Sequence, residues 1–560
     1  MLSWGIIIAV VLIAIFVLIL VTIGEGLVKI SAKEGGIRNA EDYSVVPNTW
    51  NALFRRSKSK PEYVGEKEPY FSFKRGFNIS LLGEAEQDLR HEIPLVHTTI
   101  YAIKPKDFIG MTPIPKLLVE IGDNVQAGDA LFYDKKRPDI IYAAPVSGEV
   151  IEIRRAEKRS VAAIVILADR NEVSYRQYEV PHLETTTRQD LVEFLLKSGV
   201  WPFLRQRPFD TVADPSTFPK AIFVSTFDTA PLAPDLDLAV KGRGEAFQKG
   251  LDVLNKLTEK VFLGLNANRS EPPAREYVSA QGVHKLWVKG AHPAGNVGIH
   301  MHQVAPVSMQ HINWYMDVHG VLVLGELLRS GRFDTKRPVA ITGTVFEKNK
   351  YVFAYQGANI SELVGEELAL TKTSTDYVWA EQKDAEGKPL KNKKGKVVKK
   401  KELKEFTKAA VRVISGDPLT GKKVAYNGFL GFFDDQITGI EEGDYYEILG
   451  WLFPQKGHPS ISRTFPSGFF TDAKYVADTN TNGEKRAFVA SGDYESVLPM
   501  DIYPQHLMRA IITQNFERME GLGILELVEE DIALCEYVCV SKQPLQKILR
   551  EGLELMREQS

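Results

Sequence analysis

Residues 197–209 read KSGVWPFLRQRPF, and an apolar run, AIFV, follows at residues 221–224. The preceding segment, residues 190–196, has its apolar side chains at helical spacing. A helix, a loop and a buried strand in this order are typical of the entrance of an α/β nucleotide domain. A phosphate-binding loop needs glycines so that backbone amides approach the anion, whereas this loop carries Trp, Phe, Leu and two Arg. We therefore expect an α/β domain whose nucleotide entrance is filled with side chains.

The flanking pattern places this domain at residues 185–335. Residues 245–257 have helical spacing, and residues 260–264 form a second buried-strand run. Asp228 lies just beyond the first strand, near the end where open α/β sheets bind ligands. A Gly-x-Gly pair at 242–244 lacks a third glycine and does not directly follow a strand, so it indicates a turn into the helix. The sequence predicts a Rossmann-like α/β domain.

Composition limits the class of protein. A chain of 560 residues is long enough for several domains, and 44% hydrophobic with 25% charged residues is typical of a globular protein. The formal charge of -3 gives no reason to expect nucleic acid as a partner. Only two cysteines occur, which excludes a disulfide framework and indicates a reducing compartment.

The N-terminus has the pattern of a membrane anchor. Residues 5–23 contain no charged side chain and, at about 1.5 Å per residue, are long enough to cross a hydrocarbon core. A cleaved signal peptide is the alternative, but such a peptide begins with a basic region that is missing here. We predict a transmembrane anchor at 1–24, followed by a polar tether at 25–72. Because the nearby basic residues, starting at Lys29, all follow the apolar run, the rest of the chain is expected in the cytoplasm.

Residues 73–175 are predicted to form a small β domain. Gly-Asp pairs at 122–123 and 128–129 permit tight turns between short apolar runs. Together with Ala-Pro-Val-Ser-Gly at 144–148, they resemble the barrel-sandwich hybrid of biotinyl and lipoyl carriers. The hairpin that carries the modified lysine in those proteins corresponds to residues 133–138, which lack Met-Lys-Met. A structural module is therefore favoured over a carrier modified at a lysine of this hairpin.

The densest polar motif is HPAGNVGIHMH at residues 292–302. Three histidines in one motif suggest a metal site, but the motif contains no carboxylate or thiolate, and His300 and His302 would lie on opposite faces of an extended chain. A hydrogen-bonding role in a glycine-bent loop is the preferred interpretation. Contact with a ligand such as a quinone and metal binding are the alternatives.

Two further regions complete the chain. Residues 336–475 mix strand patterns with a lysine-rich insertion at 372–408, which we expect to be a solvated loop or hairpin, with docking on lipid phosphates or an acidic partner as the alternative. Residues 476–560 are predicted to be helical, with helices over 506–519 and 531–540. Cys535 and Cys539 share a helix face and are expected to be buried and unreacted, since no second thiol pair exists to complete a metal site.

Several ordered segments carry a specific resemblance. They are KSGVWPFLRQRPF at 197–209, AIFVSTFDTAPL at 221–232, HPAGNVGIHMH at 292–302, RVISGDPLTG at 412–421, NTNG at 480–483, YESVLPMD at 494–501 and EEDIALCEYVC at 529–539. Together they resemble the NqrA family, whose members are one of the subunits of the Na+-translocating NADH:quinone reductase. The resemblance extends from about residue 73 to the C-terminus. Residues 1–72 and the lysine-rich insertion depart from the family pattern. The resemblance implies a β-grasp domain, similar to the soluble-ligand-binding (SLBB) domain of related proteins, at 336–475.

The resemblance also implies a role in a respiratory complex. Related subunits of respiratory complex I and the Rnf complex bind FMN on a glycine-rich loop and hold iron–sulfur clusters on cysteines. In this chain the loop at 199–209 has bulky side chains after Gly199, and only two cysteines are present where a cluster needs about four thiolates. We therefore expect no cofactor on this chain, with NADH, FAD, FMN and iron–sulfur on partner subunits B to F. The complex would oxidise NADH, reduce ubiquinone or menaquinone and export Na+ at the bacterial inner (cytoplasmic) membrane.

No catalytic residue and no metal ligand stand out in the sequence. Quinone sites need an apolar slot with a few hydrogen-bond donors. Candidates for quinone contact are Trp201, Phe203, Arg205, Arg207, Phe209, His300 and His302. The rival interpretation is a scaffold subunit that has lost an ancestral cofactor site. An Rnf-type electron-transfer subunit is disfavoured because the cysteines are missing.

Overall fold

The computed structural model describes residues 60–86, 92–170, 172–382, 389, 397, 399–443, 474–489 and 491–559, with the single positions Leu12, Phe16 and Leu20. The chain divides into two compact units, residues 1–64 and 65–560, and the elements given below belong to the second. The predicted anchor at 1–24 and most of the tether lie outside the described residues. Leu12, Phe16 and Leu20 are helical and exposed. In the part of the chain that is described, no helix is both long and apolar enough to span a membrane.

A two-sheet sandwich forms the first domain of this unit. The strands up to residue 168 are β1 (Tyr70–Ser72), β2 (Ile100–Ile103), β3 (Lys116–Leu117), β4 (Asn124–Val125), β5 (Ala130–Asp134), β6 (Arg137–Ala143), β7 (Gly148–Arg155) and β8 (Val161–Ala168). One sheet has the order β2-β8-β7-β4 and the other β3-β5-β6. Phe132 and Tyr142 stack at 4.8 Å in the buried core. The predicted β domain is confirmed, and Lys135 and Lys136 form the exposed turn of the β5–β6 hairpin.

The α/β domain follows. Its helices and strands are α1 (Arg188–Lys197), β9 (Arg205–Arg207), β10 (Thr211–Val212), β11 (Ala221–Ser225), α2 (Asp237–Val240), α3 (Gly244–Leu257), β12 (Val261–Asn266), α4 (Arg275–Val278), β13 (His284–Lys289), α5 (Val297–Val304), β14 (Asn313–Tyr315) and α6 (Val318–Ser330). The sheet order is β1-β13-β12-β11-β14-β9-β10. The first five strands are mutually parallel, and β9 and β10 add an antiparallel edge.

Glycines let two helices of this domain approach closely. A Cβ atom on Gly325 of α6 would lie 1.7 Å from the Ala246 carbonyl oxygen of α3, and one on Gly250 of α3 would lie 2.3 Å from the Val321 carbonyl oxygen. Only glycine therefore fits at either position. The helices and buried strands predicted around residues 190–264 are confirmed.

The segment before the sandwich differs from the prediction. Tyr70–Ser72 was expected to be tether, but it is the parallel edge strand beside β13, so the tether prediction is wrong at its C-terminal end. Farther along, the Leu82 amide donates to the Tyr475 carbonyl (2.9 Å) and the Val96 amide to the Phe353 carbonyl (2.8 Å). This stretch runs along other domains because their edges offer unpaired backbone groups.

A mixed five-stranded sheet forms the third domain. Its region contains β15 (Arg337–Gly343), β16 (Lys350–Ala354), α7 (Ile360–Val364), β17 (Thr371–Glu381), β18 (Lys399–Ala409), β19 (Val411–Ser415), β20 (Lys422–Val424) and β21 (Gln436–Glu441). The sheet order is β16-β15-β21-β19-β20, with β15 parallel to β21. Strands β17 and β18 pair with each other from Thr371↔Ala409 to Glu381↔Lys399. The described part of the lysine-rich insertion is thus a hairpin, one of the two predicted forms.

The C-terminal region is helical, as predicted. Its helices are α8 (Asp493–Val497), α9 (Pro504–Ile512), α10 (Phe516–Gly521), α11 (Glu529–Val538) and α12 (Leu545–Gln559). A single helix over 506–519 is wrong, because Gln514 has a φ of 51° and the Asn515 side chain caps a new helix by accepting from the Arg518 amide. Cys535 and Cys539 are free and buried, which confirms that prediction.

Candidate functional site

The loop before β9 is packed with aromatic side chains. Trp201 and Phe203 are buried in a short 3-10 helix. The Trp201 indole donates to the Ala213 carbonyl (2.8 Å) and meets Trp314 edge to face, with ring centroids 5.6 Å apart. The Phe203 ring lies 4.9 Å from that of Phe432. These aromatic side chains are therefore packed into the interior of the protein.

Arg207 is the centre of a buried charge cluster. Its guanidinium, fully buried at 0% exposure, pairs with Asp531 Oδ2 (2.6 Å) and with Glu530 Oε1 (2.6 Å). Burial alone would lower the pKa of Arg207, but the two carboxylates raise it above its ordinary value. Asp531 also accepts from the Val528 amide (3.1 Å) at the start of α11. The cluster therefore joins β9 of the α/β domain to the C-terminal helices.

Arg205 lies at the edge of this cluster. It pairs with Asp210, which also accepts a hydrogen bond from the Tyr315 hydroxyl. The guanidinium lies 5.0 Å from the ring centre of Tyr315 and 4.7 Å from that of Phe433. Both distances are in the range of cation–π contacts.

Sequence reasoning missed the acidic partners of Arg207. Asp531 and Glu530 follow Arg207 by more than 300 positions, and no spacing rule connects them. Two features of the sequence could have indicated these partners. An arginine in an apolar loop needs carboxylate partners once it is buried. Three acidic residues follow one another in the first turn of a C-terminal helix, namely Glu529, Glu530 and Asp531.

The histidine motif forms a turn and a helix rather than a loop. His300 lies on α5, stacks on Phe227 with ring centroids 5.8 Å apart, and its Nε2 lies 2.9 Å from the Ala294 carbonyl oxygen. His292 Nδ1 lies 3.2 Å from the Thr229 hydroxyl. Burial lowers the pKa of both His292 and His300 to about 4. The predicted glycine-bent loop is therefore wrong for residues 297–304, which are helical, whereas the hydrogen-bonding role is confirmed.

His302 points toward the C-terminal region. Its Nε2 accepts from the Asp501 amide (3.1 Å), and its Nδ1 lies 2.9 Å from Glu526 Oε2. Since Nε2 accepts, Nδ1 carries the proton and donates to Glu526. Within the described ranges, no group of three or more His, Cys, Asp or Glu side chains is placed to hold a metal ion.

The seven quinone-contact candidates are engaged in contacts inside the protein. Phe209 is buried, and its carbonyl accepts from Arg550 Nη1 (2.9 Å). Of the seven, only Arg205 and His302 are more than a tenth exposed, at 22% and 14% of their side chains. The structure brings Arg205, Arg207 and His302 to the contact between the α/β domain and the C-terminal helices. Trp201, Phe203 and His300 lie in the interior of the protein.

Two cavities are formed by other described residues. The first, about 130 Å³, contains Asp228 beyond the end of β11, as the strand pattern predicted, with Asp417, Asp434 and Asp435 from the third domain. Partial enclosure of Asp228 in this cleft, together with the carboxylates of Asp417 and Asp435, raises its pKa above the ordinary value. The second, about 500 Å³, lies between Leu95 and Tyr355.

Comparison with known proteins agrees with this architecture. Residues 71–169 match the NqrA N-terminal barrel-sandwich hybrid domain, and residues 186–333 match the NqrA second alpha/beta domain. The corresponding subunit of the Na(+)-translocating NADH-quinone reductase of Pseudomonas aeruginosa (strain UCBPP-PA14) is 35% identical over 490 residues, covering 87% of this chain and 99% of the relative. The chain belongs to the NqrA family.

A second NqrA relative and a solved structure were also compared with this chain. The NqrA relative from Rhodopirellula baltica (strain DSM 10527 / NCIMB 13988 / SH1) is 33% identical over 494 residues, covering 86% of this chain and 96% of the relative. The family match thus extends well beyond the two domains with models of their own. A solved NAD+-reducing [NiFe]-hydrogenase in the air-oxidized state has a TM-score of 0.29 at 12% identity, covering 68% of this chain and 66% of that one.

Proposed function

We propose that this chain is the NqrA component of a membrane-bound complex that oxidises NADH, reduces ubiquinone or menaquinone and exports Na+. The observation that carries the proposal is the 35% identity over nearly the whole length of a relative named for this reductase. The chain contributes quinone contact and assembly and has no independent activity. NADH, FAD, FMN and iron–sulfur belong to partner subunits B to F.

The chemistry of the chain supports a component without its own redox cofactor. Where a phosphate cradle needs backbone amides, the described loop presents the packed rings of Trp201 and Phe203. Cys535 and Cys539 are buried, and two thiols supply half of what a cluster needs.

The finer fold assignments belong to the same proposal. The α/β domain is Rossmann-like, which five neighbouring parallel strands support. The sheet β16-β15-β21-β19-β20 with α7 is a β-grasp domain of the SLBB kind, and the domain bounds are those expected from the sequence, except for the start of the α/β sheet at Tyr70.

The main test is purification through an affinity tag on this chain. We expect the tagged chain to bring down partner subunits and NADH:quinone reductase activity that Na+ stimulates. The isolated chain should show no flavin absorbance. A chain that purifies alone from its native membranes, while the reductase activity remains behind intact, would contradict the proposal.

Quinone contact is proposed at the two candidates that keep solvent access, Arg205 and His302. Arg205 presents a guanidinium between the rings of Tyr315 and Phe433, which supplies a donor beside aromatic surface. Trp201, Phe203, Arg207, Phe209 and His300 would support this surface from inside. A photoreactive quinone should label the peptide that contains Arg205 in the assembled complex, and labelling confined to the other subunits would contradict this.

A scaffold role is the second candidate function. It is favoured by the internal contacts of the candidate residues, above all the Arg207–Asp531 pair that joins the α/β domain to the C-terminal helices. Quinone titration of the isolated chain distinguishes the two roles, because saturable binding supports quinone contact and its absence supports the scaffold.

Membrane attachment through the N-terminal apolar run is also proposed. It places the chain at the bacterial inner membrane as a single-pass protein, with most of its residues on the cytoplasmic side. Deletion of residues 1–24 should release the chain, expressed without partners, into the soluble fraction. If the shortened chain still sediments with membranes, the anchor is not needed.

A further inference from the structure

The second cavity lies where four segments of the chain meet. About 500 Å³ in volume, it is lined by residues before β2, after β8, after α6 and at the end of β16, including His97, Tyr175, Arg332 and Tyr355. None of the seven quinone-contact candidates lines it. Its volume is within the range of roughly 300–1,000 Å³ that small-molecule sites occupy.

The walls of the cavity are held by backbone hydrogen bonds. The Val96 amide donates to the Phe353 carbonyl (2.8 Å), and the Phe353 amide donates to the Pro94 carbonyl (2.8 Å). On the other side, the Tyr178 amide donates to the Gly331 carbonyl (2.9 Å). These bonds fix the backbone on two sides of the cavity, and small-molecule sites usually have such a largely pre-formed backbone.

Aromatic side chains form one side of the cavity. Tyr355, which is 6% exposed, has its hydroxyl 3.2 Å from that of Tyr175. The His97 ring lies 5.8 Å from the Tyr355 ring, and Tyr101 packs behind it, edge to face, at 6.4 Å. Tyr355 is thus covered by its neighbours, and the exposed His97 and half-buried Tyr175 are the rings that an entering molecule can reach. Such a surface suits a planar ring.

A cation lies beside these rings. The Arg332 guanidinium is 5.7 Å from the centre of the Tyr175 ring and makes no hydrogen bond or ion pair with any described residue. Two other arginines differ. Arg329, three positions before Arg332, pairs with Glu326 (2.9 Å), and Arg176, in the segment after β8, pairs with Asp129 (3.3 Å). Arginine recognises carboxylate and phosphate groups with paired donors. Arg332 is thus available for an anion that enters the cavity.

We infer that this cavity binds a small aromatic anion, a planar ring bearing a phosphate or a carboxylate, of about mononucleotide size. The ring lies against His97 and Tyr175, and the anionic group pairs with Arg332. Glu172, also in the lining, accepts from an amine or hydroxyl on the ring. This inference is independent of quinone contact and of the partner subunits.

Calorimetric titration of the purified full-length chain tests the site with four probes. AMP carries a ring and a phosphate, and 4-hydroxybenzoate a ring and a carboxylate. Adenosine lacks the charge, and ribose 5-phosphate lacks the ring. At least one of the two aromatic anions should bind saturably and about tenfold more tightly than adenosine or ribose 5-phosphate. The stronger of AMP and 4-hydroxybenzoate identifies whether the natural anion is a phosphate or a carboxylate.

Single substitutions test whether the aromatic anion binds in this cavity. Arg332→Gln should weaken it about tenfold, since a charge-assisted pair is lost. His97→Ala should weaken it several-fold. Arg329→Gln, a matched change at a paired arginine outside the cavity, should leave it unchanged, and unchanged melting temperatures would show that all three variants fold.

Three outcomes would overturn the inference. They are no saturable binding of either aromatic anion at about 10 mM, equal binding of ribose 5-phosphate, and binding that Arg332→Gln leaves unaltered.

Discussion

The guanidinium of Arg207 lies between the carboxylates of Asp531 and Glu530 with no solvent exposure of its own. Removing one partner of a buried ion pair leaves the other charge without compensation, which costs about 3–5 kcal/mol. We predict that Arg207→Met lowers the free energy of unfolding by about this amount. Urea denaturation followed by tryptophan fluorescence measures it, because Trp201 and Trp314 lie buried in the same domain.

A double variant separates charge from packing. In Arg207→Met with Asp531→Leu, the fully buried carboxylate is gone and only Glu530, whose side chain is 37% exposed, remains without its partner. The loss of stability should therefore be clearly smaller than in Arg207→Met alone. Equal losses in the two variants would mean that packing around residue 207, rather than the charge left on Asp531, determines the effect.

Two buried histidines make the domain sensitive to acid. Burial lowers the pKa of His292 and His300 from 6.5 to about 4, so the unfolded chain binds more protons than the folded chain between these pH values. The contribution of the two neutral histidines to the free energy of unfolding is therefore fully present above about pH 6.5 and is lost as the pH drops toward 4. Between pH 7 and pH 5, each histidine should lower the free energy of unfolding by about 2 kcal/mol.

The contribution of His300 is measured by comparing urea unfolding at these two pH values. His300→Gln keeps a donor for the Ala294 carbonyl and cannot be protonated, so the variant should lose about 2 kcal/mol less than the unmodified chain on acidification. The exposed His311 provides the control through His311→Gln. Identical pH dependence in the unmodified chain and in His300→Gln would contradict a buried neutral imidazole.

At the scale of elements, local patterns predicted most of the structure. The apolar run at 221–224 is a buried strand, and residues 245–257 are a helix, because both patterns depend on near neighbours in sequence. Tyr70–Ser72 was not predicted as a strand because three residues are too few to show the alternating pattern of a strand. In addition, its partner β13 is more than 200 residues away in the sequence. The break after Ile512 depends on one left-handed residue, Gln514, which an apolar stripe does not reveal.

The β17–β18 hairpin is the element whose removal should matter least to the fold. Its strands form a two-stranded sheet, and neither joins another described sheet. Thr371 and Ala409 are paired at its base, so an Asn-Gly turn between them can replace residues 372–408. We predict that this deletion changes the melting temperature by no more than about 2 °C. A drop of about 10 °C in differential scanning calorimetry would show that the insertion stabilises the domain below it.

At the scale of the whole molecule, the domains contribute side chains to a common hydrophobic core. One hydrophobic core contains Ile79 and Leu81 from the segment before the sandwich, Phe209 and Ile299 from the α/β domain, and residues of the C-terminal helices. The sequence predicted the barrel-sandwich hybrid and the α/β domain, because each has its own internal pattern. It did not predict the shared core or the position of the candidate site, since both depend on residues hundreds of positions apart.

This shared core makes the C-terminal helices part of the α/β fold. Ending the chain at Gly492 would expose Phe209 and Ile299 and leave Arg207 without Asp531 and Glu530. An uncompensated buried cation and newly exposed apolar surface both destabilise the domain. We predict that the shortened chain accumulates as insoluble protein, or that trypsin cuts its α/β domain at least tenfold faster than in the full chain. Removal of residues 372–408 is the matched control, because that hairpin belongs to no other described sheet. A shortened chain that is soluble and as resistant to trypsin as this control would show that the α/β domain folds independently and that the buried charge cluster forms only after both parts are folded.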